Sequence, residues 1–261
     1  MATRNVVYAP QGSKSIWFEN LSRVQAPALN LLCLPYAGAS AQMFCQWPAH
    51  FPPEVGISLV HLPGRGKRLF EKPFTRLSSL VDAIVQNIPG ELLEYPFAIY
   101  GHSMGALLGF EIARAVRRRY GIAPVQLLLS GRSAPHVVPS RAAAFSLPHD
   151  EFIVRLRELN GTPRELLEDP EATEFFLPVL RADFELVDTY QYRPERRLSC
   201  PISVYGGLQD EEAPVTGLET WKEHTSAEFK VRLFPGDHFF IHASGTHFLE
   251  ILRSDVCGEV G

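Results

Sequence analysis

Six short apolar runs recur along the chain, each closed by turn-forming residues: 29 to 35 (LNLLCLP), 56 to 63 (GISLVHLP), 96 to 101 (PFAIYG), 125 to 131 (VQLLLSG), 201 to 207 (PISVYGG) and 229 to 236 (FKVRLFPG). They are continuous, not alternating, which is the pattern of strands covered on both faces. Between most of them the apolar spacing changes to that of amphipathic helices, over 77 to 88, 104 to 119, 217 to 224 and 244 to 252. Alternating strands and helices predict an α/β fold, a mostly parallel sheet flanked by helices and joined by right-handed crossovers. Functional groups then belong beyond the carboxyl ends of the strands.

One interval breaks the alternation. From about 140 to 197 there is no strand-like run, while Phe152, Leu156, Leu159, Phe176, Leu180, Phe184 and Val187 recur at helical spacing. This predicts a helical insertion in a single domain. Such helices either add core or form a lid over the sheet edge that lines an apolar pocket, and both readings can hold together.

At 261 residues, with 46% hydrophobic and 21% charged positions, the chain suits one globular domain and excludes a largely disordered one. A net charge of -4, with no basic stretch interleaved with aromatics, argues against nucleic-acid binding. The first twenty residues lack the apolar core of a signal peptide, and no apolar run reaches membrane-spanning length, so a cytoplasmic protein is expected, and with no evident assembly signal a monomer. The four cysteines have no C-x-x-C spacing and are expected to be reduced, with Cys33 a small core residue. No metal or cofactor is expected.

The chemistry starts at residues 100 to 105, YGHSMG. A G-x-S-x-G match arises by accident in roughly one chain in ten of this length, so the motif counts only in context. Here the context fits: Ser103 falls between a buried strand and a helix, on the sharp turn that lifts a hydroxyl out of the sheet edge. Glycine on both sides relieves crowding, because the helix packs so near the strand that side chains at 101 and 105 would collide.

A serine hydroxyl needs a base to accept its proton, and the base needs a third group to fix its tautomer. With this elbow the order is serine, acid, histidine, each partner on a loop after a later strand. The acid is expected after the 201 to 207 strand, where Asp210 leads, with Glu211, Glu212 and the more distant Asp183 as alternatives. The histidine is expected after the 229 to 236 strand, at His238; His242 and His247 lie farther along, His224 in a helical stretch, and His102 inside the motif. Asp237, adjacent to the base, is a turn residue. Backbone donors for an oxyanion are expected from Met104, which follows the nucleophile, and from Ala37 in PYAGAS, where Gly38 lets the chain come close. Arg117, Arg118 and Arg119 read as a solvated helix end complementing the dipole. Arg65, Lys67 and Arg68 lie on a loop after a strand, where they could meet an acidic partner or a phosphate.

Taken together, LPYAGAS, LPGRGKRL, YGHSMGALLGFEIAR, SGRSAP, LPVLRADFELVDTY, GGLQD and FPGDHFF, spread over residues 29 to 252, resemble the type II thioesterases of polyketide, nonribosomal peptide and fatty acid synthesis. The resemblance implies an α/β-hydrolase fold with a mobile helical lid and a Ser103, Asp210, His238 triad. It further implies cleavage of acyl thioesters from the phosphopantetheine arm of a carrier protein. Tyr36 and Ala39 stand where that family often has histidine and glycine.

Overall fold

The computed structural model describes residues 15–22, 24, 26–138 and 141–258. The first fourteen residues, where most of the signal-peptide reading falls, and the start of the insertion at 140 lie outside the described residues. Seven strands form one sheet: β1 (Phe18–Asn20), β2 (Leu29–Leu34), β3 (Val55–Val60), β4 (Phe97–His102), β5 (Gln126–Ser130), β6 (Ile202–Gly207) and β7 (Phe229–Phe234), in the order β1-β3-β2-β4-β5-β6-β7. All neighbours are parallel except β1, which runs antiparallel to β3.

The six apolar runs become β2 to β7. Every residue of β2 to β6 is buried, which explains their unbroken hydrophobicity, whereas β7 is half-buried at the sheet edge. β1 escapes sequence reading because a three-residue edge strand of sequence FEN has no face wholly in the core.

Helices α1 (Leu77–Gln86), α2 (Gly90–Glu94), α3 (Met104–Tyr120), α4 (His149–Leu159), α5 (Arg164–Glu168), α6 (Pro170–Asp188), α7 (Val215–Glu219), α8 (Phe240–Ala243) and α9 (Gly245–Cys257) complete the chain among the described residues. α3 ends at Gly121, whose φ of 72° closes the helix in the left-handed region that glycine tolerates. Arg117 and Arg118 there do more than face solvent, since both meet the Glu195 carboxylate, at 3.1 and 2.5 Å. Two apolar clusters lie on opposite faces of the sheet, one against α1 and α3, the other against α9. A third belongs to the insertion itself, where Phe152, Leu156, Leu177 and Leu180 pack together. No helix among the described residues is long and apolar enough to cross a membrane.

A histidine pair, His224 buried and His136 partly exposed, lies beside the first cluster. His224, in a 3-10 turn over Thr220–His224, meets His136 at 2.7 Å and is ringed by Phe110, Trp221 and Tyr192. Burial, and then the neighbouring charge of His136, push its pKa down to about 4. An unfolded histidine takes up its proton near pH 6.5. Between these values the unfolded chain therefore binds more protons, so stability is complete above about pH 6.5 and declines as pH falls toward 4. Urea denaturation at pH 7 and pH 5 should show lower stability at pH 5, with a smaller difference in His224→Gln; an unchanged difference would assign the pH dependence elsewhere.

Candidate active site

Ser103 sits between β4 and α3 with φ 54° and ψ -112°, a strained conformation for a residue with a side chain. Its backbone is held there by hydrogen bonds to the neighbouring strand and to its own helix. Ser103 N–H donates to the Ser130 carbonyl at 2.7 Å, and its own carbonyl accepts from Ala106 N–H at 3.1 Å. A Cβ at Gly101 would lie 2.1 Å from the Gly105 carbonyl oxygen, and one at Gly105 would lie 2.4 Å from the Leu34 carbonyl oxygen. The collision that glycine relieves is thus side chain against backbone, not between side chains at 101 and 105, and it extends to β2.

Asp210 and His238 arrive on the loops that follow β6 and β7. These loops are packed backbone to backbone: a Cβ at Gly207 would lie 2.3 Å from the Asp237 carbonyl oxygen. They are also cross-linked, with Gln209 N–H donating to the Gly236 carbonyl at 2.9 Å and Gly236 N–H to Gln209 Oε1 at 2.7 Å. The result is a relay. Asp210 Oδ2 lies 2.9 Å from His238 Nδ1, and His238 Nε2 lies 3.0 Å from Ser103 Oγ. Asp210 Oδ1 accepts from the Glu212 and Ala213 N–H groups at 2.9 and 3.1 Å, which sets the plane of the carboxylate. A carboxylate can only accept, so Nδ1–H donates to it, leaving Nε2 unprotonated and able to accept from the serine.

The other candidates have different partners. Glu211 and Glu212 turn to arginines, Arg141 at 2.8 Å and Arg155 at 2.6 Å. His242, in α8, bonds the Tyr36 hydroxyl at 3.1 Å, and His247 is exposed on α9. His102 is fully buried behind the site with Nδ1 on Ser130 Oγ at 2.9 Å, and burial drives its pKa well below the usual histidine range. Asp237 accepts from Phe239 N–H at 2.9 Å, as a turn residue should.

Asp183 plays a part that sequence reasoning missed. It is completely buried in α6 and bonds both terminal nitrogens of Arg65, Nη2 to Oδ1 at 2.7 Å, while its Oδ2 accepts from Gly38 N–H at 2.7 Å. The insertion is thereby tied to the 36–39 loop and to the loop after β3. The acidic partner of the 65–68 basic stretch lies within the chain: Lys67 meets Glu19 at 2.6 Å and Arg68 meets Glu71 at 2.5 Å. Residues 65 and 183 are far apart in sequence and follow no known spacing, so no local signal pairs them.

Ser103, His238, Ala37 and Met104 all line one cavity of about 350 Å³, roofed by Leu156, Leu180, Phe184 and Val187 of the insertion. Among the described residues, neither Ala37 N–H nor Met104 N–H donates to a protein acceptor. Two backbone donors are thus free beside the hydroxyl, the arrangement that stabilises a developing oxyanion. No group of three or more histidine, cysteine or acidic side chains among the described residues is placed to hold a metal ion.

Residues 29–256 match the thioesterase domain family. The gramicidin S biosynthesis protein GrsT of Aneurinibacillus migulanus is 42% identical over 236 residues, covering 90% of this chain and 92% of that protein. Among solved structures, the RedJ thioesterase from the prodiginine pathway of Streptomyces coelicolor superposes with a TM-score of 0.82 at 33% identity, covering 90% and 91% of the two chains. The type II thioesterase BorB from the borrelidin biosynthetic cluster does so with a TM-score of 0.81 at 31% identity, covering 94% and 98%.

Proposed function

The chain belongs to the thioesterase family, and we propose that it is a type II enzyme of the α/β-hydrolase fold that clears acyl groups from the phosphopantetheine arm of carrier proteins in a polyketide or nonribosomal peptide synthase. The observation that carries this reading is the unbroken relay from Asp210 through His238 to Ser103, opening onto a cavity with two unoccupied backbone donors. His238 Nε2 takes the Ser103 proton as Oγ attacks the thioester carbonyl. The negative charge that develops on the carbonyl oxygen is met by the Ala37 and Met104 N–H groups. As the tetrahedral centre collapses, the C–S bond breaks and the imidazolium returns the proton to the departing pantetheine thiol. Water then enters, loses its proton to His238, attacks the acyl-enzyme and releases a carboxylic acid with Ser103 restored. The helices of the insertion serve as a lid over this cavity, the pantetheine arm passing beneath them.

Acyl-pantetheine and an oxygen ester of matched chain length distinguish this reading from a general carboxylesterase. The thioester should be the better substrate by kcat/KM, and a clear preference for the oxygen ester would overturn the proposal.

In this reading Asp183 is a positioning residue, because it grips the loop that carries the Ala37 donor. Asp183→Asn keeps an acceptor for Gly38 N–H but breaks the buried ion pair with Arg65, a class of change that costs about 3–5 kcal/mol of stability. We expect a lower melting temperature and a fall in kcat of about tenfold or more, with KM little changed, since the loss of a whole oxyanion donor costs about 10²–10³. Steady-state kinetics below the melting transition check it; a change confined to KM would detach Asp183 from the oxyanion loop.

A further inference from the structure

The wall of the cavity contains a charge that the reaction does not use. Arg132 lies on the loop after β5 and lines the cavity together with Ser103, the mainly apolar roof of α4 and α6, and the hydroxyls of Ser133 and Thr216. Its backbone is fixed: the Arg132 carbonyl accepts from Trp221 Nε1–H at 2.7 Å, and Gly131 just before it has φ 60° with no room for a Cβ, which would lie 2.4 Å from the His102 ring. The guanidinium itself is not held. Among the described residues it forms no hydrogen bond and no ion pair within 4.0 Å, and burial works against its charge.

The carboxylates nearest to it act from a distance and are engaged elsewhere. Asp188, at the end of α6, accepts with Oδ2 from Ala144 N–H at 2.7 Å and Phe145 N–H at 3.1 Å. Glu212 meets Arg155 at 2.6 Å and Arg141 at 3.0 Å. Both oppose the loss of charge at Arg132, as does Tyr190. The charge is therefore offset while the N–H donors have no protein acceptor among the described residues, and the partly buried guanidinium keeps them available to a ligand in the cavity. Pockets of this kind bind through an apolar wall and orient their ligand with a few polar groups. A second anion would leave the Asp188 side of the cavity with excess negative charge, whereas a neutral oxygen would satisfy the donors and preserve the balance.

We propose that Arg132 is the specificity group of the acyl pocket, donating to a ketone or hydroxyl oxygen on the acyl chain beyond the thioester. The inference rests on the thioester-hydrolase reading above and narrows its substrate to oxygenated acyl groups over plain alkyl ones. The phosphate and amide carbonyls of the pantetheine arm are also acceptors, so the test holds that arm constant and varies only the acyl group.

The experiment compares kcat/KM for acetoacetyl-, 3-hydroxybutyryl-, butyryl- and succinyl-pantetheine in wild type, Arg132→Met and Arg132→Lys. The wild type should favour the two oxygenated chains over butyryl by about tenfold or more, the scale of a hydrogen bond from a charged donor. Arg132→Met should lose most of that preference with its butyryl rate within about threefold of wild type, and Arg132→Lys, which keeps a donor, should retain part of it. An equal loss on all four substrates would move Arg132 to the pantetheine arm or to the framework, and a dominant gain for succinyl would make the site a carboxylate subsite; either result overturns the proposal. Wild-type activity without acyl preference defeats the subsite alone, whereas wild type inactive on every thioester defeats the hydrolase reading and the subsite with it.

Discussion

Ser103→Ala should abolish thioester turnover, lowering kcat by about 10⁶, the loss seen when a serine nucleophile is removed from an otherwise intact relay. The fold should survive. Alanine keeps the Cβ, so the strained turn at φ 54° meets no new atom, and among the described residues the only side-chain hydrogen bond lost is the 3.0 Å contact to His238 Nε2. The two measurements to make are hydrolysis of an acyl-pantetheine and the thermal melting curve. A third, covalent labelling by a fluorophosphonate, should be strong in the wild type and absent in the variant. A variant that hydrolyses thioesters at near-normal rate with an unchanged melting curve would place the nucleophile at another residue.

Asp210→Asn should cost about 10⁴ in kcat while leaving substrate binding nearly intact. The reason is specific to this site. Asp210 Oδ1 is held by two backbone N–H groups, from Glu212 and Ala213, which demand an acceptor. The amide oxygen of asparagine would take that position, and its NH₂ would then face His238 Nδ1 across the former 2.9 Å contact. Two donors cannot face each other, so the imidazole would move its proton to Nε2 and could no longer accept from Ser103. The loss should be smaller at high pH, where hydroxide competes with the base, and the pH-rate profile is the measurement that reads this. A mild loss across all pH values would show that the imidazole does not need this carboxylate to hold its tautomer. Glu211 and Glu212 are poor substitutes, being engaged with Arg141 and Arg155.

The strands, the main helices and the serine turn were legible because each is a local pattern. A buried strand declares itself by continuous apolar residues, as in Leu29–Leu34, and a surface-covering helix by its 3.6-residue period, as in α3. The turn around Ser103 needs glycine at 101 and 105 whatever the rest of the molecule does, and the histidine after β7 follows from the order of the strands. The elements that escaped were those without a period of their own, such as β1, three residues long, and the five-residue α2.

What the chain alone determined was therefore the sequence of secondary elements and the residue types delivered to their carboxyl ends, since both depend on neighbours only a few positions apart. The folded arrangement decided the rest: that Asp210, among several nearby acids, meets His238; that Asp183 clamps Arg65 and Gly38; and that Arg132 lines the cavity with no acceptor among the described residues. Those outcomes depend on how loops from different strands pack on one another, backbone against backbone at Gly207 and across more than a hundred residues at Asp183. No local periodicity encodes a contact of that range.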